Sequence, residues 1–381
     1  MMRGDGDAVA RSYFDAAYYL KQTKGEGQSD PFAHYLSKGA AKGLSPCAYF
    51  EQDWYGWQNP DHRVSHDNCF FHYLDVGRHE GRDPSPLVDM VALIESLGAG
   101  LDPVAVSDAV LRMRSPKGCG VYANFEELER QQKQFCDAVR PSLIRNTLAL
   151  DRRKNLVIVQ AGKSGTHHRW FDEIADRNWD LCLNLYDASD ARLAGGEFIV
   201  AQSGTKATAM AMFASTLNHI LRGYDFVMFL DDDVTVDMAS LERAFEACAT
   251  HNLDAAQMSL SARSNCVWPI FFSTGGAGVR YTNGVEIMMP ILSARCFEAC
   301  RDLFGRSVSG FGLDLAIGQR ANSLGHRNVG ILDDCVAEHL RPIDAKGGAL
   351  YSYLRSVGIN PKAELWHLKQ AQDMPEIFAE V

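Results

Sequence analysis

No stretch of this 381-residue sequence stays apolar over the roughly 18 residues that a membrane-spanning helix needs. The opening residues, Met1-Met2-Arg3-Gly4-Asp5-Gly6-Asp7, lack the apolar segment of a secretory leader. CxxC pairs are missing too: the ten cysteines are scattered, and the nearest two, Cys296 and Cys300, stand one helical turn apart. Such spacing reads as buried free thiols in a reducing compartment, so the expected location is cytoplasmic, with at most peripheral association at the inner face of a membrane. An excess of positive charge is also lacking. Residues 1–154 hold 19 basic and 21 acidic side chains and the remainder 19 and 27, within a formal net charge of −10. With no basic stripe to follow a polyphosphate backbone, nucleic acid is excluded as a partner, and a phosphate ligand in the second half calls for a metal.

What is present is an ordinary globular composition, 46% hydrophobic and 23% charged, at a length that allows several domains of roughly 100–200 residues each. His34-Tyr35-Leu36-x-x-Gly39-x-x-x-Gly43-x-x-Pro46 recurs 38 residues later as His72-Tyr73-Leu74-x-x-Gly77-x-x-x-Gly81-x-x-Pro84. Upstream, Tyr13-Phe14 matches Tyr49-Phe50 at an offset of 36. Residues 1–86 are therefore expected to form two stacked all-helical units whose aromatics build a core, the alternative being an aromatic docking surface. The pattern resembles the short YY-x-HYL-x-x-G-x-x-x-GR-x-PSP repeats that accompany bacterial polysaccharide glycosyltransferases.

Residues 87–154 read as a helical connector, with helices over 87–97, 104–114 and 125–150, a break at Gly118-Cys119-Gly120 and a polar boundary at Asp151-Arg152-Arg153-Lys154. From 155 to 345 apolar strands alternate with helices, the pattern of a mixed, mainly parallel α/β sheet flanked by helices, and residues 346–381 form a helical tail. Strands are expected at 156–159, 180–185, 198–200, 226–230, 256–260, 286–292 and 329–332, and helices at 206–221, 294–303 and 313–324. A ligand belongs at the carboxyl ends of such strands.

The fourth strand, Phe226-Val227-Met228-Phe229-Leu230, runs into Asp231-Asp232-Asp233. Adjacent carboxylates repel one another, so three at a buried strand end imply a cation unless one merely caps the next helix. Oxygen ligands suit Mg²⁺ or Mn²⁺, either of which bridges to a diphosphate. Gly310-Phe311-Gly312-Leu313-Asp314 offers two glycines that admit close backbone approach, an aromatic face and an aspartate at a helix start, where it serves as a base or as an N-cap. Glu286 is a second candidate base, because a carboxylate in an apolar strand is costly to bury. Lys206 opens a helix and could reach a phosphate together with the N-terminal amides, or could simply be a surface lysine. Ala161-Gly162-Lys163-Ser164-Gly165 lacks the GxxxxGK[ST] spacing and reads as the first strand-to-helix turn, facing the ligand edge, with Ala161, Lys163 and Asp232 as candidate ligand contacts. His339 follows the last strand as a ligand or a structural histidine, and His167-His168 reads as helix surface.

The stretch from Tyr224 to Asp233 resembles the DxD element of GT-A glycosyltransferases, the nucleotide-diphospho-sugar transferase fold. Over residues 155–340 the chain is similar to an uncharacterised plant and bacterial family marked by WDED, VExMAPxFSR, GWGxD and VGVVD motifs. Its counterparts here are Asp231 to Asp233, Val285-Glu286-Ile287-Met288-Met289-Pro290-Ile291-Leu292-Ser293, Gly310 to Asp314 and Asn328 to Asp333, with His339 six residues on; Leu230 and Phe311 replace tryptophans and Met289 an alanine. The glycine-flanked loop also resembles the GWGxE/D loop of inverting galactosyltransferases. The resemblance implies an inverting, metal-dependent glycosyltransferase. Asp231, Asp233 and His339 would hold Mn²⁺ or Mg²⁺, Lys206 and Asp187 would contact the nucleotide, and Asp314 would deprotonate the acceptor. The implied partners are a nucleotide-sugar donor and a glycan or lipid-linked acceptor in bacterial surface polysaccharide or glycoconjugate synthesis. A nucleotidyltransferase, a metal phosphohydrolase and a catalytically silent binding module stay open as alternatives.

Overall fold

The computed structural model describes residues 3–98, 100–113, 120–147, 152–162, 165, 177–186, 196–344, 348–374 and 379–380. Gly118, Cys119, Asp151, Lys163, Ser164, His167, His168 and Asp187 lie outside the described residues. Internal packing divides the chain into two units, Met1–Leu128 with Ala349–Trp366, and Glu129–Gly348 with His367–Val381. No described helix is long and apolar enough to cross a membrane, and none of the described cysteines is in a disulfide.

In the first unit one arrangement recurs. Helices Ala16–Gln22 and Gln52–Gln58 are followed, in the second case after the one-turn helix His62–Ser65, by a short helix, Pro31–His34 or Cys69–His72, that widens into a π-helical turn at Tyr35–Gly39 or Tyr73–Gly77. The Tyr19 hydroxyl bonds to His34 Nδ1 at 2.7 Å and the Tyr55 hydroxyl to His72 Nδ1 at 2.9 Å. Glycine is required at 39 and 77, since a Cβ there would fall on the hydroxyls of Tyr19 and Tyr55. Tyr35, Phe50, Trp54, Phe70 and Tyr73 are fully buried among these helices, so the aromatics are core. Gly77→Ala is expected to lower stability by about 1–3 kcal/mol by driving Tyr55 off His72; an unchanged urea midpoint for the full chain would contradict this.

The backbone carries the arrangement further than sequence self-comparison does. The Asp15 N–H donates to Pro46 O and the Glu51 N–H to Pro84 O, and the Asp89 N–H donates to Gly120 O in the same way. Helices Met90–Leu97 and Pro103–Leu111 follow, with Val88, Leu93 and Val110 buried in one apolar cluster with Tyr49. Residues 87–128 accordingly pack with the first unit rather than as a connector. The helix expected over 125–150 ends at Ala138, because Pro141 disfavours helical backbone at the residue before it.

The second unit is one mixed sheet with strands β1 Ser142–Asn146, β2 Asn155–Ala161, β3 Trp179–Leu185, β4 Phe198–Ala201, β5 Phe226–Asp231, β6 Val234–Thr235, β7 Ala255–Leu260, β8 Val279–Thr282, β9 Ile291–Ser293, β10 Val329–His339 and β11 Ala379–Glu380. Among the described residues their order is β1-β4-β3-β2-β5-β9-β7-β10-β8-β11, with β6 paired to the end of β10. β2, β3, β4 and β5 are mutually parallel, as are β7 and β10, and β9 runs antiparallel between β5 and β7, so these six long strands all point one way. Every residue of β2 and β3 is buried, as strands covered on both faces require. One face packs on helix Lys206–Ala214 through Met210 and Phe213, the other on helix Met238–Thr250 through Leu241 and Phe245.

Several segments differ from the sequence expectation. Helix 206 stops at Ala214, where Ser215 leaves helical geometry. The strand expected over 286–292 is only Ile291–Ser293, and residues 286–290 form a turn that nonetheless pairs with β5, Phe229 N–H donating to Pro290 O and Asp231 N–H to Met288 O. β10 passes its expected end at Leu332 through a register shift before Val336 and continues to His339. The tail holds helices Ala349–Ser356 and Pro361–Gln372 and also β11, paired to β8.

Candidate active site

The carboxyl ends of β2, β3, β5, β7 and β10 share one edge of the sheet, and Asp231, Asp232, Asp233, Lys206 and His339 collect there, Lys163 and Asp187 being outside the described residues. Asp231 ends β5. Thr205 caps helix Lys206–Ala214, which follows β4, its hydroxyl accepting from the Thr208 N–H, and this sets Lys206 at the first helical position with Nζ 2.7 Å from Asp231 Oδ1. β6 carries the chain from the acidic triplet and pairs with Glu338 and His339, which brings the imidazole to Asp233. His339 Nε2 lies 3.5 Å and an Arg341 guanidinium nitrogen 3.1 Å from Asp233 Oδ2. Asp232 faces the first strand instead, accepting from the Gly162 N–H at 2.8 Å and the Tyr186 hydroxyl at 3.2 Å.

These surroundings separate the three carboxyls. Burial raises Asp231, partly offset by Lys206. Burial pushes Asp232 up to about 6 against the Gly162 N–H, with the charges of Asp233 and Asp231 adding to the rise. Burial also opposes ionisation of Asp233, yet the His339 hydrogen bond and the charges of His339 and Arg341 hold it below the usual carboxylate range. His339 is raised in turn, chiefly by its bond to Asp233.

A second acidic group lies beyond. Gly310 and Gly312 have φ of 91° and 85°, in the left-handed region that only glycine enters freely, and Gly312 takes the N-cap position of helix Leu313–Asn322. Asp314 is therefore inside the first turn and is not the cap. Its Oδ1 accepts from the Leu315 N–H at 2.9 Å and its Oδ2 from the Trp268 indole N–H at 3.3 Å, and burial pushes it up to about 6. The Val285 N–H bonds to Asp314 O, placing Glu286 alongside. Glu286 is thus buried in a turn and not in a strand; its N–H bonds to the Gln257 side chain and its Oε2 accepts from the Cys266 thiol at 3.4 Å. Burial, then the charge of Asp314, push Glu286 up to about 7, with Lys206 opposing.

Among the described residues no three His, Cys, Asp or Glu side chains converge as a ready ion site, since Asp231 is turned to Lys206 and Asp233 to His339 and Arg341. The donor chemistry nonetheless fits a divalent ion. His339 Nδ1 is 2.8 Å from the Asn265 carbonyl, which can only accept, so the ring is fixed with Nε2 facing Asp233. Ala161 is fully buried and contributes only backbone, its carbonyl accepting from the Tyr186 N–H. Gly310 adjoins Ile287 and Ala207, close to both candidate carboxylates' segments. A cavity of about 190 Å³ lined by Arg243, His251, Gly278, Asp334 and Cys335 contains none of these residues.

Sequence reasoning missed Arg341, Tyr186, Cys266 and Trp268. Arg341 and Tyr186 adjoin residues chosen by motif, two positions after His339 and one before Asp187. The loop of Cys266 and Trp268 matches no motif; the one sequence signal is a tryptophan before a proline between β7 and β8.

No family model matches the sequence, and no curated protein matches it. Among solved structures, S. aureus TarS 1–349 in complex with UDP-GlcNAc aligns at 10% identity with a TM-score of 0.34, over 52% of this chain and 60% of that one. TarS 1–349 in complex with UDP aligns at 11% identity and 0.32, over 50% and 61%, and A197 from STIV at 15% and 0.31, over 50% and 86%. The matched region spans about three fifths of the TarS 1–349 chains. Likenesses of this size assign neither family nor reaction.

Proposed function

We propose that the protein is a glycosyltransferase that moves a sugar from a nucleotide-sugar donor to an acceptor hydroxyl. The observation that carries this reading is the buried Asp314–Glu286 pair beside an aspartate triplet, two of whose members are ion-paired, at the carboxyl edge of the sheet. Lys206, with the first N–H groups of its helix, and Arg341 offer positive charge to a diphosphate in a half of the chain that is otherwise acidic. A divalent ion, Mn²⁺ or Mg²⁺, would be held by Asp233 and His339 with Asp231, and when bound it would supply Lewis-acid stabilisation of the departing diphosphate. Asp314, half-ionised near pH 6, is suited to take the proton of an acceptor hydroxyl, and attack on the face opposite the leaving group inverts the anomeric carbon. The acceptor class, a glycan or lipid-linked glycan of bacterial surface polysaccharide synthesis, follows from the repeat resemblance, and the cytoplasmic side is the matching compartment.

Donor hydrolysis tests the reading without knowledge of the acceptor. The full chain with Mn²⁺ or Mg²⁺ is incubated with UDP-, GDP- and dTDP-sugars, UDP-GlcNAc among them. Slow release of nucleoside diphosphate from at least one donor is expected, lost in Asp233→Ala. No release from any donor, together with no thermal shift on adding the nucleoside diphosphates, would sink the proposal.

A further inference from the structure

Five consecutive residues, Ser264 to Trp268, touch three of the side chains on which the proposed reaction depends, although they come from distant parts of the chain. Ser264 Oγ accepts from the His339 N–H at 3.1 Å, and the Asn265 N–H donates to the His339 carbonyl at 2.7 Å. The Asn265 carbonyl takes the His339 Nδ1 proton. The Cys266 thiol donates to Glu286, and the Trp268 indole N–H donates to Asp314. The segment is itself braced, with the Trp268 N–H donating to Cys266 Sγ at 3.4 Å and the Ser264 N–H to Ser261 O at 3.0 Å. Just beyond it, Arg280 is locked by Asp333 (2.6 and 3.0 Å) and donates to the carbonyls of Ile270 and Phe272.

We infer that Ser264–Trp268 sets the relative placement of His339, Glu286 and Asp314, and that Trp268 is the positioning residue for Asp314. This rests on the glycosyltransferase reading for its catalytic meaning and on geometry alone for the contact. A carboxylate that accepts a proton must present one oxygen to the substrate. In Asp314 the Leu315 N–H holds Oδ1 and the indole holds Oδ2, so the indole decides how the free lone pairs are turned. The ionisable groups facing Asp314 are Glu286, from the turn before β9, and Cys266, from the same segment as Trp268; Lys206 and Asp231 act on Glu286 from behind. The ionised carboxylate is the better acceptor, and the indole donation favours that form.

The test needs no substrate for its first arm. In the ¹⁵N-labelled full chain, six indole N–H resonances are followed from pH 5 to 8, Trp268 being the one absent in Trp268→Phe. Its resonance is expected to move with a midpoint near 6 and to stand still in Asp314→Asn. Should Trp268→Phe fail to fold, the resonance that loses its pH response in Asp314→Asn makes the assignment. An indole set indifferent to Asp314→Asn would overturn the inference. In the second arm, Trp268→Phe lowers kcat of donor hydrolysis about tenfold with KM unchanged and shifts the acid limb to higher pH, because a bond favouring the ionised form is lost. A tenfold loss without that shift marks a merely structural role and also overturns it. A chain that hydrolyses no donor but shows the indole response would refute the proposed function and leave the contact standing.

Discussion

Asp314→Asn is expected to cut donor hydrolysis and sugar transfer roughly a thousandfold, the scale of a lost general base. Asparagine keeps the shape and one acceptor oxygen, enough for the Leu315 N–H, so the helix start held by Gly312 should survive, while the Trp268 indole then faces the amide nitrogen and loses its acceptor. The base works ionised. With its pKa near 6, wild-type turnover should therefore rise with pH through that value and level off above it. In the proposed function the diphosphate would be bound by Lys206 and Arg341, which pair with Asp231 and Asp233 and not with Asp314, so the thermal shift caused by a nucleoside diphosphate should be the same in variant and wild type. Retention of a third or more of the turnover, or a transfer product of retained anomeric configuration, would remove Asp314 from the role of base.

The parts of the fold that could be read from sequence are those where one local pattern decides. The unbroken apolar runs of β2 and β5 predict strands buried on both faces, and the run of β5 into three aspartates places the site at its end. Where long-range pairing decides, the sequence is silent. Ser142–Asn146 looks like the end of a helix until it finds β4, and Glu286–Pro290 looks like a strand although Pro290 lacks an N–H and Glu286 spends its own on the Gln257 side chain. His339 reaches Asp233 only because β10 continues past a register shift and β6 pairs with its end. Asp314, Glu286 and His339 are legible as unusual residues in their own segments. Their common dependence on Ser264–Trp268 is not, since hydrogen bonds across as many as 75 residues leave no spacing to recognise.

Glu286→Gln is expected to stabilise the chain at pH 8 by about 3 kcal/mol and to leave it unchanged near pH 4. Glu286 is 7% exposed as a residue and its carboxyl lies beside Asp314, so the folded state keeps its proton up to about 7, whereas an exposed glutamate in the unfolded chain releases it near the ordinary value of 4.5. Below that ordinary value both states are protonated and the group costs nothing electrostatically. As pH rises, the unfolded chain ionises first, stability falls, and the full cost is reached once the folded-state value is passed. Glutamine can still accept from the Cys266 thiol and carries no charge, so the variant's stability should be flatter between pH 4 and 8; Asp314, raised to about 6, retains a smaller slope of the same sign. Urea unfolding at a series of pH values measures this, and a variant whose midpoints track the wild type at every pH would mean that Glu286 does not bear the burial cost. Turnover of the same variant then separates the two acids. If Asp314 is the base, Glu286 is still protonated while Asp314 titrates near 6 and adds little charge to it, so the acid limb of turnover should stay in place in Glu286→Gln; a loss as deep as that of Asp314→Asn would transfer the role to Glu286.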